Sequence, residues 1–147
     1  MRRTVALHTL ITDHDHVQTS PTKTRIETIS TFRDARGSLF EPVNAEHLNG
    51  KRNVHVVVTE PGHVRGNHRH IVGTEISVVT GPALVRLKED DVLYDINVPA
   101  NETWRLTVPP GVTHAYQNTG KGLMLLVGFN TEDHNPTAPD VVRDEIL

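Results

Sequence analysis

Three of the ten histidines in this chain fall where a strand would aim them at one point. His68 and His70 flank Arg69, and residues two apart on a strand share a face, so both imidazoles can reach one position in space. Glu75 follows, and a turn around Gly73 would fold the chain back and bring its carboxylate to the same side. Far along the sequence, Pro109-Pro110-Gly111-Val112-Thr113-His114 uses a Pro-Gly turn to deliver a third imidazole. Three neutral imidazoles and one carboxylate suit a divalent ion such as zinc, iron, manganese, nickel or cobalt, with open positions left for a substrate. Cysteine is absent, which excludes disulfides, thiolate zinc sites and cysteine nucleophiles. Tyr116 lies two residues beyond His114 and therefore faces the same interior.

The elements that must position these groups are short. Turn residues recur throughout, at Gly37, Gly50, Pro61-Gly62, Gly73, Gly81-Pro82, Pro99, Pro109-Pro110-Gly111, Gly120 and Gly122, with runs rich in Val, Ile, Thr and Leu between them. Trp104, Leu106 and Val108 alternate with Arg105 and Thr107, and Ala83, Val85 and Leu87 alternate with Arg86 and Lys88, each a half-buried strand. Further strands are expected over Arg25 to Phe32, Asn53 to Glu60, Glu75 to Val79, Val92 to Ile96, Thr113 to Asn118 and Leu123 to Phe129, with one helical turn over Asn44 to Leu48. The expected class is all-β, a single domain built as a sandwich or barrel. Residues 1–22 read as an N-terminal extension containing Asp13-His14-Asp15-His16, residues 23–130 as the barrel, and residues 131–147 as a C-terminal arm.

Charge argues against polyanionic partners. Fifteen basic and 18 acidic residues are mixed along the chain for a net charge of −3, which offers no footprint for nucleic acid or an anionic membrane. The apolar stretch Val5-Ala6-Leu7 is cut by His8, so no signal peptide is read, and no run approaches a membrane span. A cytoplasmic location fits the absence of cysteine.

The two clusters resemble the paired motifs of the cupin superfamily. Gly62, His68, His70 and Glu75 match the first motif in spacing, and Pro109, Gly111, His114 and Asn118 match the second. Gly81 arrives one residue early and Thr103 replaces an opening glycine, both at turn-shaping positions. Arg65-Gly66-Asn67-His68-Arg69-His70 is similar to the signature of 4-keto-sugar-nucleotide epimerases and ketoisomerases, and Asp34-Ala35-Arg36-Gly37 to a segment that opens the barrel in those enzymes. The likeness is nearest to the zinc-binding cupin of bifunctional capsular-polysaccharide reductase/epimerases.

The resemblance implies a double-stranded β-helix, the cupin or jelly-roll barrel, and a metal-dependent epimerase or isomerase acting on a nucleotide-linked keto sugar. Such chemistry removes a proton beside a carbonyl, and needs a base, an acid on the opposite ring face and a group that stabilises the enolate. His68, His70, Glu75 and His114 would hold the ion, zinc foremost. Arg65 would bind diphosphate or enolate oxygens, with Arg36 and Asn67 as further substrate-binding residues. Tyr116 would act as acid and His63 as base. In metal-free relatives the position of His68 is itself the base, so a metal role and an acid/base role for the histidine pair both stand at this point. An iron-dependent dioxygenase or other small-molecule cupin enzyme, such as a lyase or isomerase on another small acid, and a non-catalytic sugar- or metal-binding cupin are the other function classes. A homodimer is expected, with the N-terminal segment as the exchanged element.

Overall fold

The computed structural model describes residues 20–147, and in them the β-branched runs between turn residues become strands. In chain order these are β1 (Arg25–Ile29), β2 (Thr31–Asp34), β3 (Gly37–Phe40), the single helical turn α1 (Ala45–Leu48), β4 (Asn53–Thr59), β5 (Val64–His70), β6 (Glu75–Thr80), β7 (Ala83–Glu89), β8 (Val92–Val98), β9 (Thr103–Val108), β10 (Thr113–Asn118), β11 (Met124–Asn130) and β12 (Val141–Arg143). One five-stranded sheet has the order β1-β9-β6-β11-β4 and the other the order β12-β5-β10-β7-β8, while β2 and β3 form a separate hairpin. All the pairings are antiparallel, and the architecture is the expected cupin jelly roll.

Alternation sets what lies inside. Val85 and Leu87 of β7, Tyr94, Ile96 and Val98 of β8, and Leu106 and Val108 of β9 are buried together with Val79, Val112, Tyr116, Met124 and Leu126. Trp104 packs against this core and donates its indole N–H to Glu102 over 2.6 Å. A smaller cluster of Ile29, Ile76, Val78 and Phe129 lies under Phe40 and Val43.

Two boundaries differ from the sequence expectation. The single strand expected over Arg25 to Phe32 is two, because β1 follows β9 only as far as Ile29 opposite Thr103, after which the chain leaves to form the β2–β3 hairpin. The C-terminal arm carries a strand, β12, that docks on its own β5. Its last residues are gripped there: Asn67 Oδ1 accepts from the amides of Ile146 and Leu147, and Asn67 Nδ2 donates to the Leu147 carbonyl. At the other end, the Glu89 carboxylate accepts from the amides of Thr22, Lys23 and Thr24 and from the Thr24 hydroxyl, which pins the start of β1 to the β7–β8 turn. Asp13-His14-Asp15-His16 and the expected exchanged segment lie outside the described residues, apart from its last three, residues 20–22. Among the described residues no helix is long and apolar enough to cross a membrane.

Candidate metal centre

His68, His70, Glu75 and His114 converge, each offering a ligand atom, and these atoms all lie within 4.8 Å of one another. Local backbone explains how. Opposite β10, the register slips by one residue between the pairs His114–His68 and Ala115–Gly66. The extra residue on β5 is Asn67, and both Gly66 and Asn67 have positive φ, at 87° and 57°. Such a bulge twists the strand and re-aims side chains. It leaves His68 directly across from His114, with ring centroids 4.7 Å apart, and turns the Asn67 amide to the C-terminal arm. His70 follows two residues later on the same face, and Glu75 enters from β6 in the opposite sheet.

Burial and hydrogen bonding set the charge state. His114 is fully buried and Glu75 nearly so. Burial opposes ionisation of the Glu75 carboxyl, but a 2.9 Å hydrogen bond from His70 Nε2, the nearby His114 ring and the Ser77 hydroxyl together hold it well below the usual carboxylate range. Burial and then the neighbouring His114 push His68 down to about 4, and burial also lowers His114, so both are neutral lone-pair donors at pH 7. His70 goes the other way. Burial opposes its charge, but Glu75 and the backbone and side chain of Asp140 raise it.

The donor set fits a divalent cation. His114 Nδ1 donates to the Val112 carbonyl over 3.1 Å, which leaves the Nε2 lone pair free. That Nε2 is buried without a hydrogen-bond partner among the described residues, 3.8 Å from Glu75 Oε1. An orphaned buried acceptor beside a carboxylate is costly unless something positive joins them. Three nitrogens and one oxygen match the preferences of zinc, iron, manganese and nickel.

A cavity of about 560 Å³ opens over the cluster. His68, His70 and Glu75 form its floor, Asn53, His55 and Asn130 one wall, and residues between Glu132 and Val141 of the arm the other. Among the described residues its lining carries four carboxylates, from Glu75, Glu132, Asp133 and Asp140, and no guanidinium or ammonium.

The other residues singled out from the sequence scatter. Tyr116 is buried behind His114, with ring centroids 5.8 Å apart, and burial raises its phenol well above the ordinary value. His63, just before β5, and Arg65, near its start, are exposed and are not in the cavity lining. Arg36 is exposed at the β2–β3 turn, paired with Asp34 at 2.5 Å. Asn67 is taken up by the arm.

Three cavity residues were not picked out as functional from the sequence. His55 faces the space because Gly128 stands opposite it; a Cβ there would sit 2.3 Å from its ring. Asn130 Nδ2 lies 3.4 Å from His55 Nδ1, and Asp140 reaches the cavity only through the docking of β12. Cross-strand register decides all three, and nothing local in the sequence signals it.

The fold and the ligand geometry together define a cupin with a three-histidine, one-glutamate centre. Residues 32–142 match the model of the polysaccharide biosynthesis C-terminal domain, and the chain belongs to that family. Among solved structures it is similar to the capsular polysaccharide assembling protein CapF from Staphylococcus aureus, at 26% identity and a TM-score of 0.61, over 80% of this chain and 33% of that one. The chain thus spans about a third of the length of that protein. Its fold is also shared with QdtA, a sugar 3,4-ketoisomerase from Thermoanaerobacterium thermosaccharolyticum, at 21% identity and a TM-score of 0.59 over 83% of this chain and 88% of that one. ChmJ, a 3'-monoepimerase from Streptomyces bikiniensis solved with dTDP-quinovose, shares it at 17% identity and a TM-score of 0.65, over 81% and 69% of the two chains. No match is found among curated proteins.

Proposed function

We propose that the chain is a metal-dependent epimerase or isomerase acting on a nucleotide-linked keto sugar in the supply of polysaccharide precursors. The observation that carries this reading is the buried donor set with its orphaned His114 Nε2, floored under a cavity large enough for a hexose. Membership of a polysaccharide-biosynthesis family supports the setting, and the printed activities of the ketoisomerase and monoepimerase of the same fold support the reaction class.

His68, His70, Glu75 and His114 hold the ion, for which zinc is the first choice and iron, manganese and nickel the others. When bound, it supplies Lewis-acid polarisation of a keto oxygen. The protein's part is to place and move protons. Tyr116 sits beside His114, but burial raises its phenol and it is not among the residues lining the cavity, so the acid role read from the sequence is not assigned to it. His55 is an imidazole of the cavity outside the ligand set and takes the role of base in place of His63, which is not in the cavity lining. Carboxylates around the cavity favour a neutral hydroxylated ring inside it, so the diphosphate lies outside, toward an exposed arginine such as Arg52, which pairs with Asp133 of the cavity lining.

Elemental analysis of the purified protein, coupled to proton NMR of keto-sugar nucleotides in deuterated water, tests the proposal. Stoichiometric zinc with chelator-sensitive deuterium uptake beside the carbonyl is expected. Bound iron with oxygen consumption, or no exchange into any keto-sugar nucleotide, would reject it. Among the described residues β4 is an open sheet edge whose exposed Val54, Val56 and Val58 carry no charge, which supports pairing of two copies. Light scattering that reports a monomer at all working concentrations would count against that pairing.

A further inference from the structure

The C-terminal arm crosses the mouth of the cluster at a carboxylate to which the ligand set assigns no task. Asp140 Oδ1 accepts from the amide of Val72 and Oδ2 from the amide of Gly73, both at 2.8 Å, so one side chain fixes the turn between His70 and Glu75. The Asp140 carbonyl accepts from the Ile71 amide at 3.1 Å. The same Oδ2 stands 3.6 Å from His70 Nδ1, the ring nitrogen turned away from Glu75.

From this geometry we infer that Asp140 is a positioning residue of the metal centre: it sets the His70 ring and the 71–73 turn so that His70 Nε2 and the Glu75 carboxylate face one ion. The inference rests on the metal-binding part of the proposed function. Its logic is that of an outer carboxylate on a ligand histidine. His70 Nε2 bonds Glu75 in this structure; were an ion to replace that proton, a negative charge beside Nδ1 would favour the remaining proton on Nδ1 and the lone pair on Nε2, making the ring a better donor. Each of the three rings meets a backbone carbonyl, His114 that of Val112, His68 that of Gly66 and His70 that of Asp140 itself, and His70 has the Asp140 carboxylate at 3.6 Å in addition. His70 alone among the three rings has a carboxylate in this place.

The fit is close. A methyl group on Gly73 would lie 2.7 Å from Asp140 Oδ2 and 3.0 Å from Glu132 Cγ, and Gly73 does not have positive φ, so alanine there carries no backbone penalty of its own. Gly73→Ala therefore displaces the carboxylate without removing it.

The test uses the full chain and zinc alone, with affinity read by competition against a chromophoric chelator, and the visible spectrum of the cobalt-loaded protein as a report on coordination geometry. Asp140→Ala is expected to weaken zinc binding about 10- to 100-fold. Asp140→Asn, which keeps an oxygen for one of the two turn amides, sets its NH2 against the other and loses the charge, is expected to weaken it less than Asp140→Ala, and Gly73→Ala to fall with Asp140→Ala. Cobalt bands should shift in all three while the far-ultraviolet β-sheet signal persists. Unchanged zinc affinity and an unchanged cobalt spectrum in Asp140→Asn and Gly73→Ala would overturn the positioning role and leave the metal centre standing. A wild-type chain that binds neither ion would overturn both.

Discussion

Gly66→Ala tests whether the strand bulge builds the site. Gly66 has φ of 87°, and a Cβ placed on it would stand 2.6 Å from the His114 carbonyl oxygen and 3.1 Å from Ala115 Cα. Both neighbours are backbone and cannot rotate away, so β5 and β10 must part by about 0.4–0.8 Å to restore tolerable contact. The left-handed backbone costs alanine on the order of 1–3 kcal/mol, and forced separation of packed strands a similar amount. A total of roughly 3 kcal/mol, at a urea dependence of about 2 kcal/mol per molar, lowers the midpoint by about 1.5 M. Gly62→Ala separates the two contributions, since Gly62 has φ of 80° with open space around its Cβ position, and should lose only the backbone part. The same parting moves His68 from His114, so zinc affinity should fall in Gly66→Ala and hold in Gly62→Ala. Equal urea midpoints and equal zinc affinities for the two variants would refute the reasoning.

Glu89→Gln should cost about 1–3 kcal/mol at pH 7, because an amide nitrogen would face amides that now donate to the carboxylate. Burial opposes the charge on Glu89, but the amides and the Thr24 hydroxyl outweigh it and hold the carboxyl below its ordinary value. A lowered folded pKa gives a contribution that is complete above the unfolded pKa of about 4.3 and is lost as pH falls through the folded value. The stability gap between wild type and variant, measured by urea titration, should therefore narrow below about pH 4; a gap constant down to pH 3 would contradict this. His114→Ala should drop bound zinc from one per chain to a small fraction while β-sheet circular dichroism persists, since the ring's inner nitrogen has no protein partner to lose. Full zinc occupancy in that variant would remove His114 from the site.

The four converging residues were legible because strand periodicity and turn chemistry are local. His68 and His70 needed only alternation, Glu75 a turn at Gly73, and His114 a Pro-Gly turn. The all-β class followed from the same local signals. What stayed hidden depends on partners far along the chain. Asn67 sits in a signature stretch, but the extra residue in β5 turns its amide to residues 146 and 147. His55 reads as one member of a valine-rich strand until Gly128 is seen opposite it, leaving room for the ring. Asp140 lies in a proline-flanked tail with no periodicity, and only the pairing of β12 with β5 carries it to His70. The break after Ile29 likewise falls opposite Thr103, where β9 begins, which no feature of residues 25–32 encodes.

The ligand residues are divided between the two layers of the sandwich, with three imidazoles from one sheet and the lone carboxylate from the other. A cation held by all four would act as a rivet through the protein, so filling the site and resisting unfolding become one equilibrium seen from two sides. At a free ion concentration a hundred times the dissociation constant, that linkage adds about 2.7 kcal/mol to the folded state. Were the four residues to hold an ion as proposed, the melting temperature of this chain would be a gauge of its metal supply.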